Sequence, residues 1–260
     1  MIDYDEVSRF VHSFCPRLRS TRRVNLCLLT YSILRRRSLC LSELARAMPL
    51  PIAHLYRVKR LWRFLSNEAV SSLSFVPFFL QRLPPSPGKR RPLILDYTAL
   101  GPFRILVAAI GYRCRAFPLA SIPISWERLE GSLNQLEEGL LLQVGSPDLV
   151  VIADRGFGRA SLFRFLIKQG WPFVIRIPGE GMMEWRGRGL RVKDLPLEKG
   201  GQRFLRGILY HQKERVRVNL ALSWEGEEPW YLVTSLTEAR EAIKLYTRRM
   251  WIEEMFRDYK

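Results

Sequence analysis

The stretch Leu149-Val150-Val151-Ile152-Ala153 carries no polar side chain and ends on Asp154. A half-exposed strand would alternate apolar and polar residues. An unbroken apolar run of this length reads as a strand covered on both faces, the habit of parallel sheets. Downstream, Ala160 to Gln169 reads as a helix closed by Gly170, and Pro172 to Ile177 as the next strand. Upstream, Trp126 to Val144 reads as a helix. Before it, Pro92-Leu93-Ile94-Leu95 runs into Asp96, followed by Arg104 to Tyr112 and Arg115 to Ile122. Three strands in succession suggest an antiparallel meander, with Gly111 near a turn. The class is therefore α/β, a mixed sheet with helices.

Further outward the character changes twice. Residues 179–233 are rich in Gly and charge. Arg215-Val216-Arg217-Val218-Asn219-Leu220 alternates with period two, and Trp230-Tyr231-Leu232-Val233 reads as a short strand. This is a β-rich insertion. From Glu238 onward the pattern is helical, one helix to the end. Residues 93–178 and 234–260 would then form the two parts of one core. Residues 84–92, Pro-Pro-Ser-Pro-Gly-Lys-Arg-Arg-Pro, read as a linker. Residues 1–83 read as a helical region. Within it, residues 22–48 have helical composition, and Leu41-Ser42-Glu43-Leu44 reads as a helix start capped by Ser42. Pro49 and Pro51 end that helix. His54 to Phe64 follows, with Leu55, Val58, Leu61, Trp62 and Leu65 as its apolar stripe and Arg57, Lys59, Arg60 and Arg63 around it. Helix, turn and basic helix are compatible with helix-turn-helix DNA binding; a solvated basic face is the alternative.

The 260 residues hold 42 Lys and Arg against 25 Asp and Glu, a formal net charge of +17. Most of that excess falls before Asp96. It argues for a polyanionic partner, nucleic acid before an anionic membrane. No run of eighteen uncharged apolar residues exists and the N-terminus has no secretory pattern, so a membrane span and export are not expected. The four cysteines, Cys15, Cys27, Cys40 and Cys114, form no C-x-x-C pair. A zinc finger is excluded on that spacing, a disulfide scaffold is not expected, and reduced cytoplasmic thiols are expected.

Two aspartates, Asp96 and Asp154, close apolar strands, the place where α/β sheets present ligand-binding groups. Many strands also end in Asp merely to begin a turn. On a continuous terminal helix at about 100° per residue, Tyr246, Arg249, Glu253 and Lys260 share an arc of roughly 60°. Leu245, Ile252, Met255, Phe256 and Tyr259 lie beside them and could pack on the sheet. Glu253 would then approach the aspartates; an exposed Arg249–Glu253 pair is the alternative. Three carboxylates without competing His or Cys suit a hard cation, Mg²⁺ with Mn²⁺ as substitute. Two such ions about 3.5–4 Å apart support phosphodiester chemistry.

The ending from Tyr246 to Lys260 has the spacing Y-x2-R-x3-E-x6-K through Arg249 and Glu253. It resembles the YREK motif of DDE transposases of the insertion sequence 4 family of bacterial mobile elements. Asp96-Tyr97-Thr98 resembles the family's first-aspartate motif. Ile152-Ala153-Asp154-Arg155-Gly156-Phe157 resembles its second, and Ile252-Glu253-Glu254 followed by Phe256 strengthens the match. Trp230 to Leu236 resembles the strand before the last helix, and Arg60-Leu61-Trp62-Arg63-Phe64-Leu65 is also similar. The resemblance implies a ribonuclease H-like core interrupted by a β-rich insertion and preceded by an all-helical DNA-binding region. It implies a catalytic, metal-binding triad of Asp96, Asp154 and Glu253. Tyr246, Arg249 and Lys260 would contact DNA phosphates, and Arg57, Arg60 and Arg63 would serve end binding. Trp230 would sit near a flipped base, burial in the core being its other reading. The implied partners are double-stranded DNA, both inverted-repeat ends and target, and a second protomer in a synaptic complex. Met250 stands where the family commonly has Trp. Family members usually continue past the final lysine. The resemblance therefore implies a C-terminally truncated chain, active or reduced to a DNA-binding remnant.

Overall fold

A computed structural model describes residues 2–70, 75–83, 90–124 and 132–258. The chain divides into two units, Met1–Leu83 and Pro84–Lys260. In the first, the described residues form α1 (Tyr4–Phe14), α2 (Ser20–Arg36), α3 (Leu41–Ala47), α4 (His54–Leu65) and α5 (Val76–Arg82). Leu28 of α2, Leu44 and Ala45 of α3, Met48 at the end of α3, and Leu61 of α4 make one buried cluster. Fully burying a side chain such as Leu28 or Leu61 is worth about 1.5–3 kcal/mol.

Three local expectations need correction here. The helical stretch from residue 22 to 48 is broken, because Arg37 takes a left-handed conformation (φ 52°) that ends α2. Cys40, not Ser42, holds the N-cap position of α3. Ser42 lies inside the helix, its hydroxyl 3.2 Å from His54 Nε2. On α4 the buried side is Leu61 and Phe64, with Val58 half-buried, while Leu55, Trp62 and Leu65 are exposed. Apolar residues surround more of α4 than one packing face can cover. Phe64, three residues after Leu61, takes the place assigned to Leu65.

The second unit is one mixed sheet with helices. Its first strands are β1 (Arg91–Leu100), β2 (Phe103–Tyr112) and β3 (Arg115–Ile124), an antiparallel meander. Arg91 and Pro92 therefore lie in β1, where they pair with Leu149 and Val150, rather than in the linker. Pro84 to Lys89 lie outside the described residues. Next comes α6 (Leu133–Val144), opened by a capping box between Ser132 and Gln135. Residues 126–131, read as the first part of this helix, lie outside the described residues. β4 (Leu149–Ala153), all five residues buried, runs parallel to β1 and to β5 (Phe173–Arg176). Between them lies α7 (Ala160–Gln169), closed by Gly170 at φ 70°.

The β-rich residues do not form a sheet of their own. β6 (Met182–Trp185), β7 (Arg188–Arg191), β8 (Gln202–Tyr210), β9 (Val216–Ser223) and β10 (Trp230–Thr234) extend the same sheet. β10 lies antiparallel to β5, and the strand order is β3-β2-β1-β4-β5-β10-β9-β8-β6-β7.

Alternation along each strand assigns the two faces. Val150, Ile152, Val174 and Leu232 pack under Ala242, Ile243, Leu245 and Tyr246 of α8 (Ala239–Tyr246). Ile94, Val107 and Ala109 pack under Ile252 and Met255 of α9 (Met250–Asp258). On the opposite face, Phe163 of α7 stacks on Phe173 with centroids 5.6 Å apart. The terminal segment is thus not one helix. A 3₁₀ turn, Thr247–Arg249, separates α8 from α9. The two halves pack on different strands, and the tighter turn reorients one against the other. Gly111 is needed beneath α9. A Cβ there would lie 2.4 Å from Pro92 Cγ and 2.9 Å from the Trp251 ring.

Candidate functional site

Asp96 and Asp154 stand side by side on the neighbouring parallel strands β1 and β4; Asp154 follows the last residue of β4, but Asp96, expected to close its strand, lies inside β1, which runs on against β2 to Leu100. Asp96 shares a face with Ile94, and Asp154 follows Ala153 directly, so both carboxylates emerge beneath α8 and α9. In each, one oxygen is fixed by backbone. Tyr97 N–H donates to Asp96 Oδ1 at 2.8 Å, and Gly156 N–H donates to Asp154 Oδ1 at 2.7 Å. The second bond makes Asp154 the N-cap of the 3₁₀ turn Arg155–Phe157. The free Oδ2 atoms converge on one guanidinium. Arg249 Nη2 lies 3.1 Å from Asp96 Oδ2 and 3.5 Å from Asp154 Oδ2. Its Nη1 donates to Glu253 Oε1 at 2.5 Å.

Solvent access is graded. The side chains of Arg249 and Asp96 are 13% and 14% exposed, whereas Asp154 keeps 34% and Glu253 41%. Burial pushes the Asp96 carboxyl up to about 6 from 3.8; Arg249 and the Tyr97 amide pull it down, and the two neighbouring carboxylates add to the rise. One guanidinium therefore does not fully compensate the site, and its Nε is buried without a hydrogen-bond partner. The donor set is oxygen only, with three negative charges around a positive group, and it fits a hard divalent cation. As they stand, no three His, Cys, Asp or Glu side chains among the described residues are arranged to hold one ion. Between the triad's carboxylates lies the Arg249 guanidinium.

The other sequence candidates fall differently. Tyr246 is buried against Trp230, ring centroids 5.0 Å apart and edge to face. Burial pushes its hydroxyl up to about 12. Trp230 is half-buried at the margin of the cluster under α8. Lys260 lies outside the described residues. In the first unit Arg57 donates to the carbonyls of Ile52 and Met48, at 2.8 and 3.2 Å, and so closes the end of α3. Arg60 Nε donates to Asn25 Oδ1 at 2.7 Å. Arg63 is exposed and lines an open groove of about 710 Å³ with Arg19, Arg22, Arg60 and Tyr56.

Sequence reasoning missed a layer behind the aspartates. Tyr97, pointing away from Asp96 by strand alternation, stacks on Phe157 at 5.2 Å and donates its hydroxyl to Glu137 Oε1 at 2.6 Å. Arg104 covers the Tyr97 ring at 4.1 Å. Glu137 is 1% exposed and also pairs with Arg159. A signal existed: Glu137 shares the spacing of Leu140, Leu141 and Val144, so a carboxylate stands on the buried stripe of α6.

The model of the transposase DDE domain family matches residues 130–260, half of the chain, and the chain belongs to that family. Glu137, Asp154, Arg249 and Glu253 lie within the matched part, and Asp96 precedes it. Among solved structures, the chain is similar to the piggyBac transposase in a cryo-EM synaptic complex with hairpin DNA. The TM-score is 0.45 at 12% identity, with 98% of this chain and 57% of that chain covered. No curated protein matches the chain.

Proposed function

We propose that this chain is a transposase of the insertion sequence 4 type that binds transposon-end DNA and, with Mg²⁺, hydrolyses a strand there and joins the freed 3′-hydroxyl to target DNA. One observation carries the reading: Asp154 and Glu253, within the part matched by the transposase DDE domain, and Asp96, which precedes it, converge on a single cationic centre. The strand order β3-β2-β1-β4-β5, with β1, β4 and β5 parallel, supports a ribonuclease H-like core.

Asp96, Asp154 and Glu253 would hold the divalent ions, which supply a lowered-pKa water and charge neutralisation at the phosphate. The protein's own part is positional and electrostatic. Backbone bonds fix Oδ1 of each aspartate and leave Oδ2 for the shared centre. Arg249 carries positive charge to the place where phosphate charge must be met. In the first unit, Arg19, Arg22, Arg60 and Arg63 supply a basic groove for phosphates, while Arg57 serves the fold.

Alanine at Asp96, Asp154 or Glu253 tests the proposal. Each change should abolish Mg²⁺-dependent cleavage of the inverted-repeat ends and leave end binding intact; full cleavage surviving all three changes would refute it. A second reading, a chain that binds ends without cutting, is favoured by the way Arg249 separates the triad. Specific end binding with no cleavage in Mg²⁺ or Mn²⁺ would select it.

A further inference from the structure

We infer that Glu137 is a positioning residue that orients Asp96 and Asp154 at once, from the opposite face of the sheet. The inference rests on the reading of Asp96 and Asp154 as ion-holding groups. Its basis is a hydrogen-bonded path with two arms. Glu137 Oε1 accepts from the Tyr97 hydroxyl at 2.6 Å, and Tyr97 N–H donates to Asp96 Oδ1 at 2.8 Å. Glu137 Oε2 pairs with Arg159 Nη2. Arg159 Nη1 donates to the Gly156 carbonyl at 2.8 Å, and Gly156 N–H donates to Asp154 Oδ1 at 2.7 Å. Both arms end on the oxygen that does not face Arg249. The carboxylates are thereby held by the atoms that a ligand would not use.

Strand geometry makes this possible. Successive residues point to opposite faces, so Asp96 faces α9 while Tyr97 faces α6. The Tyr97 ring lies between Phe157, stacked at 14°, and the Arg104 guanidinium, so its rotation is restricted and its hydroxyl is aimed. Phe157 belongs to the turn that Asp154 caps, which ties the two arms together a second time. A buried ion pair adds little net stability over an apolar pair of the same shape. Stability alone therefore gives no reason for a carboxylate that is 1% exposed in the apolar stripe of α6. Outer groups that orient metal-holding side chains are a reason, since their loss typically weakens metal binding about 10–100-fold.

The test uses the 260-residue chain, with Tyr97→Phe, Glu137→Gln and the double variant. Tyr97→Phe keeps the ring and its stacking, so the fold is retained even if Glu137→Gln proves unstable. Mn²⁺ alone is titrated by calorimetry, and crystal structures of the metal-free proteins give the separation of the two carboxylates. The expected result is binding weakened at least about tenfold in each single variant. The double variant should be no weaker than the worse single, because both residues act through one path. The aspartate carboxylates should also be displaced in the metal-free Tyr97→Phe structure. Unchanged affinity in Tyr97→Phe, or fully additive losses, would overturn the inference. Should the unaltered chain bind no Mn²⁺, the ion-holding reading fails. The crystal structures then decide the positioning role alone: displaced carboxylates support it and unmoved ones overturn it.

Discussion

Replacing Arg249 by Gln would leave three carboxylates around a neutral group. Removing one partner of a buried ion pair typically costs about 3–5 kcal/mol, because the remaining charge stays desolvated. Here only Asp96 is deeply shielded, while Asp154 and Glu253 retain 34% and 41% exposure. The cost should therefore fall to about 1–3 kcal/mol, the range for one poorly satisfied polar site. Urea unfolding in the presence of a chelator measures it directly. A divalent ion should reverse the loss, and at 100 times its Kd it adds about 2.7 kcal/mol to a protein that binds it only when folded. Because the guanidinium no longer occupies the space, Arg249→Gln should gain more from Mg²⁺ or Mn²⁺ than the unaltered chain gains. Two results would refute the reasoning: a variant as stable as the parent in chelator, or equal stabilisation of both proteins by the ion.

Two further outcomes are expected. Gly111→Ala should destabilise by about 1–3 kcal/mol through overpacking against Pro92 and Trp251, and it should lower divalent-ion affinity because α9 carries Glu253; a calorimetric melt and an Mn²⁺ titration check both. Burial raises the Glu137 carboxyl above its ordinary range, so its contribution to stability is complete below the unfolded-state value and is lost as pH rises through the folded-state value. Gln cannot ionise, so the stability difference between the parent and Glu137→Gln should shrink as pH rises over that window in a series of urea melts; a difference independent of pH would contradict this assignment.

Much of the second unit was legible because its strands are marked on both sides. The run Leu149 to Ala153 could only be a strand buried on both faces, and Asp154 followed from where that run stopped. The meander before it was marked by its apolar strands, although Gly111, read as near the turn, lies in β2 opposite Ala116 and the turn itself falls at Arg113 and Cys114. The terminal segment was harder. A helical wheel assumes unbroken geometry, and nothing in Tyr246-Thr247-Arg248-Arg249 announces a 3₁₀ turn. The turn arises because α8 and α9 seat on different strands, a tertiary cause that local sequence does not record. The path through Glu137 was hidden for a similar reason. Tyr97 and Glu137 lie 40 residues apart and Glu137 and Arg159 lie 22 apart, and pairing at that range is decided by the sheet. Helix α4 misled in another way, for apolar side chains on several of its faces gave no unique inward direction. Arg57 illustrates the limit of charge counting, since its guanidinium is spent on backbone carbonyls.

The joining of β10 to β5 has a consequence for anyone wishing to trim this protein. Residues 179–233 look removable in sequence, as an interruption between two halves of a core. In the fold they seal the side of β5 that would otherwise present a row of unpaired amides and carbonyls. Cutting them out would create an open strand edge, the feature that invites pairing with other chains and aggregation. A soluble minimal version must keep β10 and β9 as a border, or place charged residues or proline along β5 in their stead.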